Sequence, residues 1–250
     1  MDKLLELKNI SLTYQTKDDE IKAIENLSFS CDEGNFLSII GPSGCGKTTI
    51  LSMIAGLIKP TSGQIIFHNK VNDNHKKVGY MLQKDYLFPW RTIEKNIYLP
   101  LEIKKSINSE SKSYVNLLLE KYGLKDFKKK YPDQLSGGMR QRVALIRTLA
   151  FNPSLLLLDE PFSALDSQTR LLVCDDVYKI IKAEKKTAVL VTHDISEAIS
   201  MSDIIVVLTD RPAKVKSIHR PDLKGETPLS KRENPNFGIW FEKIWSELHQ

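Results

Sequence analysis

At 250 residues, with 41% hydrophobic and 27% charged residues, the chain has the make-up of a soluble globular protein with a substantial core, which excludes a disordered or fibrous one. Its longest apolar runs, in "SLLLLDEPF" and "SDIIVVLTD", are broken by acids after about five residues, far short of the ~20 that span a bilayer. The net charge of +5 comes mostly from lysine, as at Lys128 to Lys130, and reads as solvated lysine faces rather than a nucleic-acid surface.

The first residues, "MDKLLELKNI", enter an alternating pattern directly, with no basic stretch, apolar stretch and small-residue cleavage site in succession, so a cytosolic protein is expected. Cys31, Cys45 and Cys174 have neither a paired framework nor metal-ligand spacing, which fits a reducing compartment. In chain order, "LLELKNISLTY" and "IENLSFS" alternate apolar and polar residues and read as strands. The short buried strand "FLSII" runs straight into the glycine loop "GPSGCGKTT", and "KTTILSMIAGL" continues as an apolar helix. "GQIIFH" and "VGYML" are further short strands after the turn residues Pro60 and Gly63. From about 92 to 151 the pattern is helical throughout, in "TIEKNIYLPLEI", "SESKSYVNLLLEKYG" and "MRQRVALIRTLAF", and marks an insertion. Pro153 then precedes "SLLLL", a continuous apolar run typical of a central parallel strand. "TAVLVT" and "IIVVL" repeat the type, and the helical "SQTRLLVCDDVYKIIKAEK" separates the first two, so the core is α/β. A proline-dotted segment, 211–235, leads to "NFGIWFEKIWSELHQ". There Phe237, Trp240, Phe241, Ile244, Trp245 and Leu248 form one apolar helical stripe, expected to pack on the protein's own core.

The glycine loop fits G-x-x-x-x-G-K-[ST] with Gly41, Gly46, Lys47 and Thr48; Pro42, Ser43, Gly44, Cys45 and Thr49 complete it. Successive backbone N–H groups in such a loop converge on phosphate oxygens, and the following helix dipole favours negative charge there. Lys47 is expected to reach the β- and γ-phosphates and Thr48 to coordinate Mg²⁺. The strand in "LLLLDEP" ends in two acids at its carboxyl edge, where α/β sheets bind ligands. Asp159 suits the Mg²⁺ shell and Glu160 a general base acting on water, although two acids there can also simply cap a turn. The strand "TAVLVT" ends at the same edge in His193, placed to contact the γ-phosphate, and Gln83 follows "VGYML" in the same way, placed to contact Mg²⁺ and the water. A second anion site is written in "DQLSGGMRQR", where Ser136, Gly137 and Gly138 open a helix whose first N–H groups lack intrahelical partners.

"GPSGCGKT", Gln83, "LSGGMRQR", "LLLLDEP", "SALD" and His193, in this order and approximate spacing, resemble the ATP-binding subunits of ABC transporters over nearly the whole chain. "LSGG" followed by an Arg-Gln-Arg helix is the specific part of that signal. The resemblance implies an ABC nucleotide-binding domain: a P-loop, RecA-like α/β ATPase core with an antiparallel β subdomain and an inserted α-helical subdomain. It implies an ATP and Mg²⁺ site in which Ser136, Gly137 and Gly138 bind the γ-phosphate held by a second copy in a head-to-tail dimer. It further implies that Asp166 lies in a loop linking the two sites and that Tyr14 stacks on adenine. Met139 stands where many relatives have glutamine. On this reading one ATP-binding domain covers 1–230, with core 1–88 and 152–210 and helical subdomain 89–151, and 211–250 forms a C-terminal extension with an amphipathic helix.

"LFPW" followed by T-x-x-x-N-I, "RPAKV", and "REN-PNF" before the last helix look like the nitrate/sulfonate/taurine importer subfamily. Only 84–135 separate Gln83 from the second anion site, with no sustained heptads, which leaves no room for the coiled coil of repair and chromosome ATPases. A single cassette without a membrane span implies separate permease subunits, a solute-binding protein acting through them, and a peripheral position on the cytoplasmic face of the membrane. No nucleic-acid partner is expected; the alternative is a soluble ABC ATPase acting on nucleic acid or the ribosome. Tyr86, Phe88 and Trp90 fit either packing between the core and the helical insertion or a groove for a permease helix.

Overall fold

The computed structural model describes residues 2–15, 19–68 and 78–249. Two long strands, β1 (Lys3–Gln15) and β2 (Glu20–Asp32), pair antiparallel. In both, the parity of the buried residues switches midway. Leu5 and Leu7 give way to Ile10 and Leu12 in β1, and Ile24 to Leu27 and Phe29 in β2. A strand whose side chains alternate faces can do this only through an irregularity. The pairing register shifts between Leu7 and Ile10, beside Asn9 at φ 49°, while Asn26 stands at φ 48°. Asparagine is a residue that tolerates this left-handed conformation. The short strand β3 (Phe36–Ile40) leads to α1 (Lys47–Ile54), and β4 (Ser62–Phe67) returns to the other side of β1 to give the order β2-β1-β4.

A six-stranded sheet forms the second layer. Its strands are β3, β5 (Val78–Met81), β6 (Leu155–Asp159), β7 (Thr187–Val191), β8 (Ile204–Leu208) and β9 (Val215–His219), in the order β5-β6-β7-β3-β8-β9. All pairings are parallel except that of β9, which runs antiparallel to β8. Every residue of β3, β6, β7 and β8 is buried, as uninterrupted apolar runs require. The two faces of β6 serve different cores. Leu155 and Leu157 pack with Leu51 and Ile54 of α1 and the inner face of β1 and β2; Leu156 and Leu158 pack with the helices on the opposite side.

Those helices are α2 (Ile93–Ile103), α3 (Ser109–Lys121) and α4 (Gly137–Leu149) of the insertion, and α5 (Ser167–Ala183). Each begins at a residue whose side chain accepts from a backbone N–H of the first turn: Thr92, Asn108, Ser136 and Asp166. The short helices α6 (Ile195–Met201) and α7 (Pro228–Arg232) precede the terminal α8 (Phe237–His249).

The sheet extends beyond residue 210, into the stretch read from sequence as a proline-dotted extension. β9 carries Lys216 and Ser217, and its buried–exposed alternation is that of an edge strand rather than of a continuous apolar run. α8 does cover the core: Ile244 is fully buried among Ile199, Ile205 and Val207, with Phe237, Trp240, Phe241 and Leu248 packed around it. Trp245 is the exception in the predicted stripe. It stays half-exposed and stacks on His249 with ring centroids 4.0 Å apart. Truncating Ile244 to Ala therefore creates a cavity and should cost about 2–4 kcal/mol, whereas Ile239→Ala, on the exposed face of the same helix, should change the urea midpoint by less than about 0.5 kcal/mol equivalent. Equal losses in the two variants would show that α8 is not anchored through its inner face.

Candidate functional site

The carboxyl ends of β3, β5, β6 and β7 lie at one edge of the sheet, and the polar residues that follow them converge there. After β3 the chain wraps from Gly41 to Gly46 and enters α1 at Lys47. Gly44 (φ 77°) and Gly46 (φ 120°) hold conformations that side-chain-bearing residues rarely adopt, and at Gly44 no neighbour lies within 4 Å of an added Cβ. Backbone torsion, not crowding, is what demands glycine at that position. Lys47 is nearly buried, and its ammonium folds back over the loop to donate to the carbonyl oxygens of Gly41 (2.8 Å) and Pro42 (2.9 Å). Cys45 is buried inside the loop, and burial pushes its thiol up.

β6 delivers Asp159 to α1. Its Oδ1 accepts from Thr48 Oγ1 (3.0 Å) and its Oδ2 from the Tyr80 hydroxyl (3.2 Å) of β5. Burial pushes the Asp159 carboxyl up, against the downward pull of these two bonds; burial and the adjacent carboxylate raise the Tyr80 phenol to about 12. Glu160, one residue on, stands at φ 44°, a strained value for glutamate. That turn is held from three sides: its N–H donates to Val191 O (2.9 Å), and its carbonyl accepts from Ser163 Oγ (2.9 Å) and Ser163 N–H (3.2 Å). Glu160 Oε2 then lies 3.1 Å from His193 Nδ1, which leaves the other ring nitrogen facing away from the carboxylate. Gln83 joins the same group, its amide donating to Ser163 Oγ at 3.2 Å.

His193 is itself supported from below. Thr192 Oγ1 accepts from Asp194 N–H (3.0 Å) and donates to Glu197 Oε2 (2.6 Å), and Asp194 caps α6. Arg170 reaches Asp194 at 3.7 Å. Burial raises the Glu197 carboxyl to about 7.

The structure thus gathers Gly41, Pro42, Ser43, Gly44, Cys45, Gly46, Lys47, Thr48, Thr49, Gln83, Asp159, Glu160 and His193 at one edge. Ser136, Gly137 and Gly138 are elsewhere, at the start of α4. No hydrogen bond among the described residues joins them to the phosphate loop. The two glycines also differ. Gly138 is buried, and a Cβ there would come within 2.8 Å of Val173 on α5, so its glycine is demanded by helix packing. Ser136 is exposed and caps α4 by accepting from Met139 N–H at 3.3 Å. Asp166 caps α5, and hydrogen bonds from Thr169 hold its carboxyl below the usual range. Tyr14, the last but one residue of β1, lines a 450 Å³ hollow with Thr13, Gln15, Glu20 and Thr61.

Between Gln83 and α2 the chain is fixed by residues that sequence reasoning did not single out. Asn96, fully buried, accepts from Phe88 N–H and donates to the carbonyls of Phe88, Arg91 and Thr92. Asp85 accepts from Arg140 Nε at 3.1 Å, and Arg147 donates to the carbonyls of Asp85 and Tyr86. On this frame Trp90 (72% exposed) and Tyr86 (57% exposed) face outward, and Phe88 stacks on Trp90. Packing between core and insertion falls instead to the buried Leu87. Asn96 was visible only as part of T-x-x-x-N-I, and Tyr80 only as a letter in a strand; the pairing of Arg140 with Asp85 spans 55 positions and leaves no local signal.

The donors fit a magnesium nucleotide. A threonine hydroxyl, one carboxylate and a glutamine are hard oxygen ligands of the kind Mg²⁺ takes alongside substrate phosphates, and no cluster of three or more His, Cys, Asp or Glu residues among the described residues offers a separate metal cage. Loop, lysine, acids and histidine at the carboxyl ends of parallel strands define a phosphate-loop nucleotide hydrolase.

The comparisons take this one step further. The family model for ABC transporters matches residues 24–163. The ABC transporter ATP-binding protein YtlC of Bacillus subtilis is 48% identical over 98% of this chain and 95% of its own length. The aliphatic sulfonates import ATP-binding protein SsuB of Bacillus cereus is 37% identical over 91% of this chain and 88% of its own. Among solved structures, the dimeric bacterial ABC transporter cassette MJ0796 superposes with a TM-score of 0.71 at 35% identity, over 89% of this chain and 100% of the cassette. The chain belongs to the ABC transporter family, as an ATP-binding and ATP-hydrolysing subunit.

The raised Glu197 carboxyl makes folding pH-dependent. Between its unfolded value near 4.5 and about 7 the native state holds a proton that the unfolded chain releases, so stability falls as pH rises through that window. The full difference amounts to about 3 kcal/mol. Glu197→Gln keeps the acceptor for Thr192 without the charge; its thermal midpoint should exceed the parent's at pH 8 and match it near pH 4.5. A gain that is the same at both pH values would rule out titration of this carboxyl as its source.

Proposed function

We infer that this subunit drives solute import by closing head-to-tail on a second copy of itself around two ATP molecules, and that a separate integral-membrane permease converts the closure into transport. One observation carries the reading. The chain has two helix starts suited to anions, at α1 and α4, and only the first sits beside Asp159, Glu160 and His193. An exposed Ser136 remote from the chain's own loop is suited to a nucleotide held by another copy. The dimeric structures of MJ0796, one of them a post-hydrolysis state with ADP and Pi, support that arrangement by analogy.

In this reading Gly41 to Gly46 present backbone N–H groups to the phosphates, with Pro42, Ser43, Gly44 and Cys45 shaping the turn, and Lys47 and Thr49 complete the contact. The Lys47 ammonium exchanges carbonyl partners for the β- and γ-phosphate oxygens. Thr48, Asp159 and Gln83 would hold Mg²⁺, which would neutralise charge on the β- and γ-oxygens. Glu160 takes the proton of the attacking water, and His193, steadied by the Glu160 carboxylate, turns its second ring nitrogen toward the γ-phosphate. Tyr14 stacks on adenine above the hollow beside it. Ser136, Gly137 and Gly138 contact the γ-phosphate of the other copy, and Asp166 links the two sites. Once phosphate departs, the anion that bridges two helix starts is gone and the pair opens.

The exposed Tyr86–Trp90 surface suits a short permease helix, and its position beside Gln83 would pass motion to the site. No helix among the described residues is long and apolar enough to cross a membrane, so the subunit would sit peripherally on the cytoplasmic face and meet the solute-binding protein only through the permease. Within the nitrate/sulfonate/taurine-like solutes, the name of SsuB supports an aliphatic sulfonate.

Glu160→Gln should bind ATP, lose about 10²- to 10⁴-fold in hydrolysis and accumulate as a dimer by light scattering; near-parental turnover refutes the assignment. Ser136→Arg should leave ATP affinity of the monomer intact and abolish that dimer. Loss of monomer affinity would place Ser136 in its own chain's site instead. Stimulation of hydrolysis by nucleic acid rather than by the co-purified permease pair would favour a soluble ABC ATPase.

A further inference from the structure

The segment in "RPAKV", which the functional reading leaves unused, returns from β8 past the outside of the phosphate loop. There the Arg211 guanidinium donates to the carbonyl oxygen of Gly44 at 2.6 Å. Arg211 stands on a braced turn. Thr209 N–H donates to Lys214 O (3.0 Å), and the Lys214 N–H returns a bond to Thr209 Oγ1 (3.0 Å). The turn is tied to β2: Ala213 N–H donates to Ala23 O (2.9 Å), Glu25 N–H to Ala213 O (3.0 Å), and Lys214 pairs with Glu25 at 2.9 Å. Ile24 of the same β2 stretch lies 3.6 Å from where a Cβ on Gly46 would stand. The turn and the phosphate loop thus share one frame.

In a trans peptide the C=O and the following N–H point in opposite directions. Holding the Gly44 oxygen outward therefore turns the Cys45 N–H inward. It does point that way, reaching Pro42 O at 3.3 Å, the same oxygen that receives the Lys47 ammonium. No neighbour lies within 4 Å of where a Cβ on Gly44 would stand, so packing on that side places no restraint on the peptide. The guanidinium supplies that restraint.

We propose that Arg211 is a positioning residue for nucleotide binding: it fixes the Gly44–Cys45 peptide so that the N–H groups of the phosphate loop are pre-aimed at ATP. The inference rests on the loop holding phosphate, as argued above. In the full chain, Arg211→Met should raise the Kd for magnesium ADP about 5- to 10-fold, the value of one charge-assisted hydrogen bond to an exposed group. It should change kcat at saturating ATP by less than about two-fold, since Arg211 touches no reacting atom, and should quicken amide exchange at Cys45. Arg211→Gln, which keeps an N–H donor and drops the charge, should recover part of the affinity. Lys214→Met, which breaks the pair with Glu25 on the same turn, should bind as the parent does. An Arg211→Met Kd within two-fold of the parent overturns the proposal. So does a Gln variant as weak as Met, which would make long-range charge the cause, or a Lys214→Met variant that weakens equally, which would make turn stability the cause. Failure of the parent chain to bind magnesium ADP is a different result and refutes the phosphate-loop reading itself.

Discussion

The Lys47 ammonium is a cation taken almost wholly out of water and met by two neutral carbonyls, with no carboxylate paired to it among the described residues. A buried charge is costly unless compensated, and carbonyl dipoles compensate only in part. The site is therefore electrostatically incomplete in favour of an anion. Much else about the molecule serves to maintain that imbalance. The glycine torsions let the loop close over the ammonium. The helix dipole of α1 adds positive potential at the same point, and the acids of β6 are kept occupied by Thr48, Tyr80 and His193 instead of by the lysine.

That separation of charges depends on the two cores flanking the sheet. The side chains of β6 alternate between them, so the strand is fixed from both faces and its last residues cannot rotate without disturbing Leu155 and Leu157 on one side or Leu156 and Leu158 on the other. Asp159 and Glu160 emerge from a strand packed on both faces. The strained backbone of Glu160 persists because Val191 and Ser163 hold both sides of its peptide linkage, and the geometry with His193 follows.

Much of this could be read in the amino-acid order, because the deciding forces were local. The runs FLSII, SLLLL, TAVLV and IIVVL could only be covered strands, and all four are buried throughout. The phosphate loop, Asp159, Glu160, His193 and Gln83 each end a strand or follow one within two residues, so knowing that the strands are parallel was enough to bring them to one edge. β9 escaped because an edge strand needs only half its residues apolar, and VKSIH does not differ in pattern from a loop. The outward exposure of Trp245 escaped because helical spacing groups it with Ile244 without saying how far the covered face extends. Asn96, Tyr80 and Arg211 act through hydrogen bonds to partners set by folding: a backbone loop, a carboxylate 79 positions away and a carbonyl 167 positions away. A side chain's type announces that it can make such a bond; the partner is a property of the fold. Gly138 shows the converse, a position assigned to chemistry in the sequence that also answers to the closeness of two helices.

The attachment of Asp85 and Tyr86 to α4 has a mechanical consequence. Arg140 and Arg147 are seven positions apart, two turns along one side of the helix; both grip Asp85, and Arg147 holds Tyr86 as well. Helix and loop are riveted into a single stiff rod, whose far end is Ser136. With 13 residues, α4 is roughly 20 Å long, so a tilt of a few degrees imposed at the aromatic end would swing the serine end by about an ångström, enough to make or break a hydrogen bond. On the proposed reading, leverage along α4 would link the exposed aromatic surface to the Ser136 end of the helix.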